Sequence, residues 1–530
     1  FALPVQAAEQ KQDQRPNIIF ILLDNVGKDW FRCYGSSENQ TPTIDHLAYN
    51  GLRFRNCYVT PVCSTTRHML LTGRYPSVHG LRHNGCVLSE RANTFVDVLA
   101  AGGYRTATIG KSHLQPFTSS MPKGRPEFEA GPIGEAWKPD PWPYEEELPE
   151  SYLGEESHAV RTPYYGYQHV EMVTRHGDQC GGHYGQWFRR NHPNWRELHD
   201  PANELPHNYS CPQAYRTPVP EASYSTSWIA DRAADWVRQQ AGSEDPFFAF
   251  VSFPDPHHPF NPPGKYWSMY QPEQFELTLP YSAHENPPPP LRYMRERWEQ
   301  GKTEATSQAA FYADDQAVRE AMALSAGMIT MIDDKIGEVL TALEESGQTE
   351  DTIVIFTSDH GDYLGDYNLL LKGPLPTRAI TRVPFIWADP TDRAPRSSAG
   401  LASTIDISAT VLERAGIAPY WGLQGRSLLP AVAGGEAVRD ALVIEHHDGG
   451  ARMGFDKPAR ARCLLTDRWR ITVFKDEEWG ELYDREADPR ETRNLWDDEA
   501  HRPVRAELME RLMHEAIRNM EESPRATRLA

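Results

Sequence analysis

In Asn17-Ile18-Ile19-Phe20-Ile21-Leu22-Leu23-Asp24-Asn25, six apolar side chains run without a break and stop at an acid. A short run with no polar alternation reads as a strand buried on both faces, the kind found in parallel sheets. Thr352-Ile353-Val354-Ile355-Phe356-Thr357 has the same character and ends at Ser358-Asp359-His360. A third apolar strand, residues 247–253, leads into Asp255-Pro256-His257-His258. Working outward, residues 43–51 are predicted helical, and residues 94–103 form a helix with a glycine stop before a strand over 104–109. Ile329, Ile332, Ile336, Val339 and Leu343 alternate spacings of three and four, one face of a helix that stops near Gly347. Helix followed by strand, repeated, predicts an α/β fold with a mixed, mostly parallel sheet flanked by helices.

In open sheets of this kind, ligands sit beyond the carboxyl ends of the strands. Asp24-Asn25 and Asp359-His360 are thus candidates for a common metal site, although single strand-end acids also serve as caps or solvated ends. Two carboxylates, an amide oxygen and an imidazole suit Ca²⁺, with Mg²⁺ or Mn²⁺ as alternatives and Zn²⁺ a poorer match.

The 530 residues carry 74 acidic and 54 basic side chains, net −20, which argues against nucleic acid or an anionic membrane as a bulk partner. A small anionic substrate must instead meet a few placed cations. No stretch approaches the roughly 18 consecutive apolar residues of a membrane helix. Seven cysteines are few and odd in number, so this is no disulfide scaffold; Cys180 and Cys211 are a candidate pair that spacing leaves open. Residues 1–14 have the look of a signal-peptide remnant, with Val5-Gln6-Ala7 as a small-residue cleavage site, and suggest a periplasmic or secreted location. Residues 15–430 read as the main domain and 431–530 as a smaller α+β one, with strands at 441–445 and 469–474 and a helix over 502–521. The irregular, aromatic-rich part around 117–224 is expected to wall a substrate pocket, its aromatic region from Trp137 to Trp195 suggesting a sizeable organic group over which sugar or aryl faces could stack. Pro287 to Pro290 are expected to be extended and on the surface.

Cys63 carries the chemistry. It lies in Pro61-Val62-Cys63-Ser64-Thr65-Thr66-Arg67-His68-Met69-Leu70-Leu71-Thr72-Gly73-Arg74, where a polar turn runs into a short helix closed by glycine. A thiol at a helix N-terminus near Arg67 is poised as an anion or beside one, whereas a buried structural cysteine is the plain alternative. The segment resembles the signature of the type I sulfatases of the alkaline phosphatase superfamily. Their cysteine is oxidised to formylglycine within Cys-x-Pro-x-Arg, followed by Leu-Thr-Gly-Arg; here Thr65 stands at the proline position. Asp24, Asn25, Asp359 and His360 fall where that family places metal ligands, Asn25 standing where most sulfatases have Asp and phosphonate monoester hydrolases an amide. Gly110-Lys111-Ser112-His113 resembles the Lys-x-His pair that holds substrate oxygens, and Lys372-Gly373 the second substrate lysine. Asp255-Pro256-His257-His258-Pro259-Phe260 resembles the motif whose histidine protonates the leaving group, and Asn84 matches a substrate-side asparagine. The closing motif, Glu481-Leu482-Tyr483-Asp484 with residues 488–495, is structural in that family.

The resemblance implies an alkaline-phosphatase-like fold and hydrolysis of a sulfate ester of a sugar, phenol or other alcohol. It also implies one divalent cation and maturation by a formylglycine-generating enzyme. Two alternatives stand beside it: a phosphonate monoester or phosphodiester hydrolase using the same site, and a non-catalytic anion-binding protein with an unmodified Cys63.

Overall fold

The computed structural model describes residues 15–528 except 121–131, 134, 135, 139, 304–307 and 436, so the expected tail at 1–14 lies outside the described residues. In chain order the first half supplies β1 (Asn17–Leu23), α1 (Pro42–Tyr49), β2 (Leu52–Tyr58), α2 (Cys63–Thr72), α3 (Phe95–Ala101), β3 (Arg105–Lys111), β4 (His169–Val173), α4 (Gly182–Asn191), α5 (Ser225–Gln239) and β5 (Phe247–Ser252). The second half supplies α6 (Pro289–Glu299), α7 (Asp315–Glu345), β6 (Thr352–Ser358), β7 (Phe385–Ala388), β8 (Arg396–Ser403) and α8 (Ile405–Arg414). Last come β9 (Ala441–His447), β10 (Arg460–Thr466), β11 (Trp469–Phe474), β12 (Gly480–Asp484) and α9 (Arg502–Arg518).

A nine-stranded sheet runs in the order β8-β2-β7-β6-β1-β5-β3-β4, with the two-residue strand Arg382–Val383 paired to β2 off that path. All its neighbours are parallel except those of β7 and that short strand. β1 lies at the centre, and its period of two divides the core. Ile19, Ile21 and Leu23 join Trp228, Ile229 and Val237 of α5 and Ile329, Ile332 and Ile336 of α7. Ile18, Phe20 and Leu22 face the other way, onto Leu70 and Leu71 of α2, Phe95 and Leu99 of α3, and Val411 and Leu412 of α8. Helices thus cover both faces, which is why the strands read as unbroken apolar runs.

β9 to β12 form a separate antiparallel sheet. Val443, Leu464, Ile471 and Leu482 pack with Leu508 and Leu512 of α9 and reach the larger unit through Met69, Tyr75 and Ile405. The closing motif is structural here too: Arg470, fully enclosed, pairs with Glu481 at 3.0 Å and Glu491 at 2.9 Å. No helix among the described residues is long and apolar enough to cross a membrane.

Three expectations are corrected. The irregular segment contains β4, which extends the main sheet alongside β3; His169-Val170-Glu171-Met172-Val173 mixes polar and apolar residues because it lies at the sheet edge. The proline run is extended only at its start. Pro289 and Pro290 open α6, where a missing N–H costs nothing, and Pro287, Pro288 and Pro290 are buried. Cys180 and Cys211 do not pair, since they belong to different cores and both are free.

Candidate active site

β6, β1, β5 and β3 are adjacent and parallel, and their ends are level: Leu23 registers with Ser358, and Ser252 with both Leu22 and Gly110. The residues that follow, Asp359-His360, Asp24-Asn25, Asp255 to His258 and Lys111 to His113, therefore enter one space. α2 brings Cys63 to the same place as its first residue, 2 % exposed. Val62, before the helix, offers no capping side chain. Asn84 from the following loop does so, its Oδ1 accepting from Ser64 N at 3.3 Å and Ser64 Oγ at 2.7 Å. The Thr65 hydroxyl donates to Val62 O at 2.9 Å and closes the turn before the helix.

Arg67 binds the centre together. Its Nε donates to Asp359 Oδ2 at 2.7 Å, Nη2 to Asp24 Oδ2 at 3.3 Å, and Nη1 to Lys111 O at 2.7 Å and Ser252 Oγ at 2.9 Å. Lys111 Nζ also donates to Asp24 Oδ2. Burial opposes the charge on Asp24, but Lys111, Arg67 and Lys372 hold its carboxyl well below the ordinary range. Burial likewise opposes ionisation of Cys63, and Lys111, a contact with His360 and Lys372 outweigh it, so the thiol lies below its usual value.

The four expected metal ligands converge. Asp24 Oδ1, Asn25 Oδ1 and His360 Nε2 are all enclosed and lack any hydrogen-bond partner. His360 Nε2 lies 3.8 Å from Asp24 Oδ1 and 3.7 Å from Asp359 Oδ1. Its Nδ1 donates to Gly361 O at 2.8 Å, which leaves Nε2 as the lone-pair nitrogen. Asn25 takes the left-handed conformation, φ 73°, and spends its amide N–H₂ on Asp362 Oδ2 at 2.7 Å, leaving the carbonyl oxygen for the cluster. Orphaned buried atoms are costly. Three of them beside the Asp359 carboxylate, with the His360 nitrogen within 4 Å of both Asp24 and Asp359, fit a hard divalent cation.

His113 Nδ1 is 3.2 Å from Cys63 Sγ, and its pKa is pushed down to about 3 by burial and by Lys111. Lys372 Nζ donates to His257 Nε2 at 2.6 Å, while His257 Nδ1 donates to His258 O at 2.8 Å. Burial, His258 and the two lysines keep His257 neutral. The eleven residues singled out from the sequence are thus gathered in one place. One that was not singled out belongs with them. His176 accepts from Lys111 Nζ at 2.7 Å and stacks on His257 with ring centroids 3.5 Å apart. Asp24, His176 and His257 bring a second trio of ligand atoms together, with the Lys111 ammonium bonded to two of them. Nothing around Arg175-His176-Gly177 in the sequence marks it, because it sits in the irregular segment with no motif of its own.

Cys63, Asn84, His113, His257 and Lys372 open into a cavity of about 630 Å³. Phe117, Arg175 and His176 wall it on one side, and His446 at the end of β9 with Asp448 and Arg452 beyond it on another. Of the aromatic region from Trp137 to Trp195, His176 lines the cavity and the tryptophans do not. Trp137 is exposed, Trp142 lies under the Arg161 guanidinium, and Trp187 and Trp195 pack against the core. His446 Nε2 is enclosed and unpartnered, and the Asp448 carboxylate is held by Arg452 at 2.6 Å.

The profile of the family described as Sulfatase matches residues 16–417, and that described as N-sulphoglucosamine sulphohydrolase, C-terminal, matches residues 377–518. The arylsulfatase of Clostridium perfringens is 26% identical over 523 residues, covering 96% of this chain and 95% of that protein. The N-acetylglucosamine-6-O-sulfatase of Bacteroides thetaiotaomicron is 24% identical over 528 residues, covering 95% of this chain and 87% of that protein. The crystal structure of the phosphonate monoester hydrolase of Agrobacterium radiobacter shares the fold, with a TM-score of 0.75, 24% identity and coverage of 97% of this chain and 98% of that one.

Proposed function

The chain belongs to the sulfatase family, and from that premise we propose that it hydrolyses sulfate esters of an organic alcohol, with residue 63 matured to formylglycine and Ca²⁺ at the four-ligand site. The observation that carries the reading is the meeting of Cys63, three orphaned ligand atoms and the Lys111 and Lys372 ammoniums in one enclosed space. The hydrated aldehyde supplies a diol nucleophile for sulfur, and the cation a Lewis acid that makes it more acidic.

The chain's own residues do the rest. Arg67 neutralises the two carboxylates and fixes where they point. Lys111 and Lys372 face the sulfuryl oxygens and stabilise the charge that shifts onto them, the contribution that usually dominates in such sites. His113 orients residue 63 and holds the proton of its second hydroxyl. The departing oxygen is protonated through His257 Nε2, which relays the proton Lys372 already shares with it while Nδ1 keeps its own on His258 O. Asn84 holds the rim beside the ester.

The alcohol is proposed to be a hydroxyl-bearing group such as a sugar. The support is a wall of histidines with a paired aspartate and arginine, suited to sharing hydrogen bonds with hydroxyls, in a cavity far larger than a sulfate. A phosphonate monoester or phosphodiester is the second reading, favoured by the amide of Asn25.

The test joins mass spectrometry of the peptide containing residue 63, on protein made with and without a formylglycine-generating enzyme, to turnover of 4-nitrophenyl sulfate and phenylphosphonate esters. An aldehyde and preferred sulfate turnover, both lost in Cys63→Ala, are expected. An unmodified thiol in both preparations, with no turnover, would move the anion-binding reading forward.

A further inference from the structure

β3 delivers Lys111 and then breaks off, and the chain has to turn sharply to bring His113 against Cys63. It does so by placing His113 in the left-handed region, φ 57°. For a residue with a Cβ that conformation costs on the order of 1–3 kcal/mol and persists only where its surroundings impose it. The imposing group is visible. Glu147, fully enclosed, accepts at Oε2 from His113 N at 2.9 Å and at Oε1 from Leu114 N at 2.7 Å and Gln115 N at 2.9 Å. Tyr164 Oη donates to Oε1 at 2.7 Å. Three successive amides around one anion form a nest, a geometry that needs a left-handed residue among them. Here that residue is the histidine itself.

We propose that Glu147 is a positioning residue: its carboxylate occupies this nest and so fixes His113 against residue 63 for the reaction. This rests on the sulfatase reading of the site. Glu147 does not line the cavity, so it acts only through the loop it grips. The grip is returned, since Gln115 Oε1 accepts from Glu146 N at 3.0 Å, and Glu146 O accepts in turn from Tyr152 Oη at 2.6 Å. The irregular segment therefore has a second task besides walling the pocket. It carries the anion that holds the Lys111–His113 turn. Charge matters because an amide in place of the carboxylate turns an N–H₂ toward backbone N–H groups and gives up charge-assisted bonds.

The test uses matured full-length protein and 4-nitrophenyl sulfate. Glu147→Gln is expected to lower kcat about 30-fold with KM changed less than threefold. Tyr164→Phe, which removes a donor from the same carboxylate and spares the three amides, should stay within twofold of the parent while losing comparable stability. Glu147→Asp, which keeps the charge on a shorter stem, serves if the glutamine variant does not fold, and should fall between the two. A crystal structure of the variant is expected to show His113 out of the left-handed region and away from residue 63. Equal kcat losses in Glu147→Gln and Tyr164→Phe, or an unmoved His113, would overturn the proposal. A parent inactive toward every ester would count against the sulfatase reading alone, since the position of His113 in the variant would still judge the clamp.

Discussion

Arg67 donates to two buried carboxylates at once, so removing it leaves Asp359 without its cation and Asp24 with Lys111 alone. Breaking a buried pair in this way costs about 3–5 kcal/mol. Arg67→Ala should lose that much in urea unfolding of the chelated protein and less when Ca²⁺ is present to carry the charge. Arg67→Lys should recover little, because one ammonium cannot reproduce four directed bonds. Asp255 behaves differently. It is buried beside β5, accepts from Thr226 Oγ1 at 2.5 Å, and burial pushes its pKa up to about 7. Its folded pKa is above the unfolded value of about 3.9, so its stabilising contribution is complete below pH 4 and lost as pH rises through 7. Asp255→Asn should remove that slope and be more stable than the parent at pH 8 by roughly 4 kcal/mol, with the difference vanishing near pH 4. Melting temperatures across that range check it. His257, by contrast, should betray its role through the leaving group: His257→Ala is expected to slow alkyl sulfates at least tenfold more than 4-nitrophenyl sulfate, whose phenoxide needs no proton, and equal slowing would deny it the proton transfer.

Among the elements, β3 has little slack. Gly110 has φ 110°, and a Cβ there would lie 1.9 Å from Ser252 O of β5. Gly110→Ala must push β3 off β5 or bend it, and Lys111 is the next residue. A loss of roughly 3–5 kcal/mol is expected in chemical denaturation, together with loss of turnover in whatever fraction folds. Gly73 is a milder case: it closes α2 at φ 57°, and a Cβ would meet Ser408 Oγ at 2.3 Å, a side chain with some freedom to turn. How far such elements were legible depended on periodicity and environment. β1, β5 and β6 announce themselves because burial on both faces leaves four to six apolar residues in a row. Their terminal acids and histidines follow from sheet geometry, and so most of the site does too. β4 at the edge has no such run. His176 and Glu147 sit in a segment where neither a period of two nor one of 3.6 applies, and their partners on the Lys111–Gln115 turn lie more than 30 residues away. The histidines that end β9 are invisible for another reason: only tertiary packing of the second sheet onto Met69 and Ile405 turns them toward the cavity.

At the level of the whole molecule, the site is a joint between distant parts of the chain, with ligands from both β1 and β6. A cation bridging them should therefore report on global stability. At about a hundred times its Kd, an added ion stabilises by about 2.7 kcal/mol. Chelation should lower the calorimetric Tm and abolish turnover, and Ca²⁺ should restore both better than Mg²⁺; a Tm indifferent to every divalent ion would deny the site. The same joint sets a clock. Cys63 is 2 % exposed once its surroundings are complete, yet Asp359, His360 and Lys372 leave the ribosome about 300 residues after it. At about 5–20 residues per second, that interval lasts about 15–60 s. On the proposed reading, this is the interval in which a converting enzyme would reach the cysteine before it is enclosed. The degree of maturation is then a race between synthesis and enclosure, and slower translation, not a tighter enzyme, is what lengthens the window.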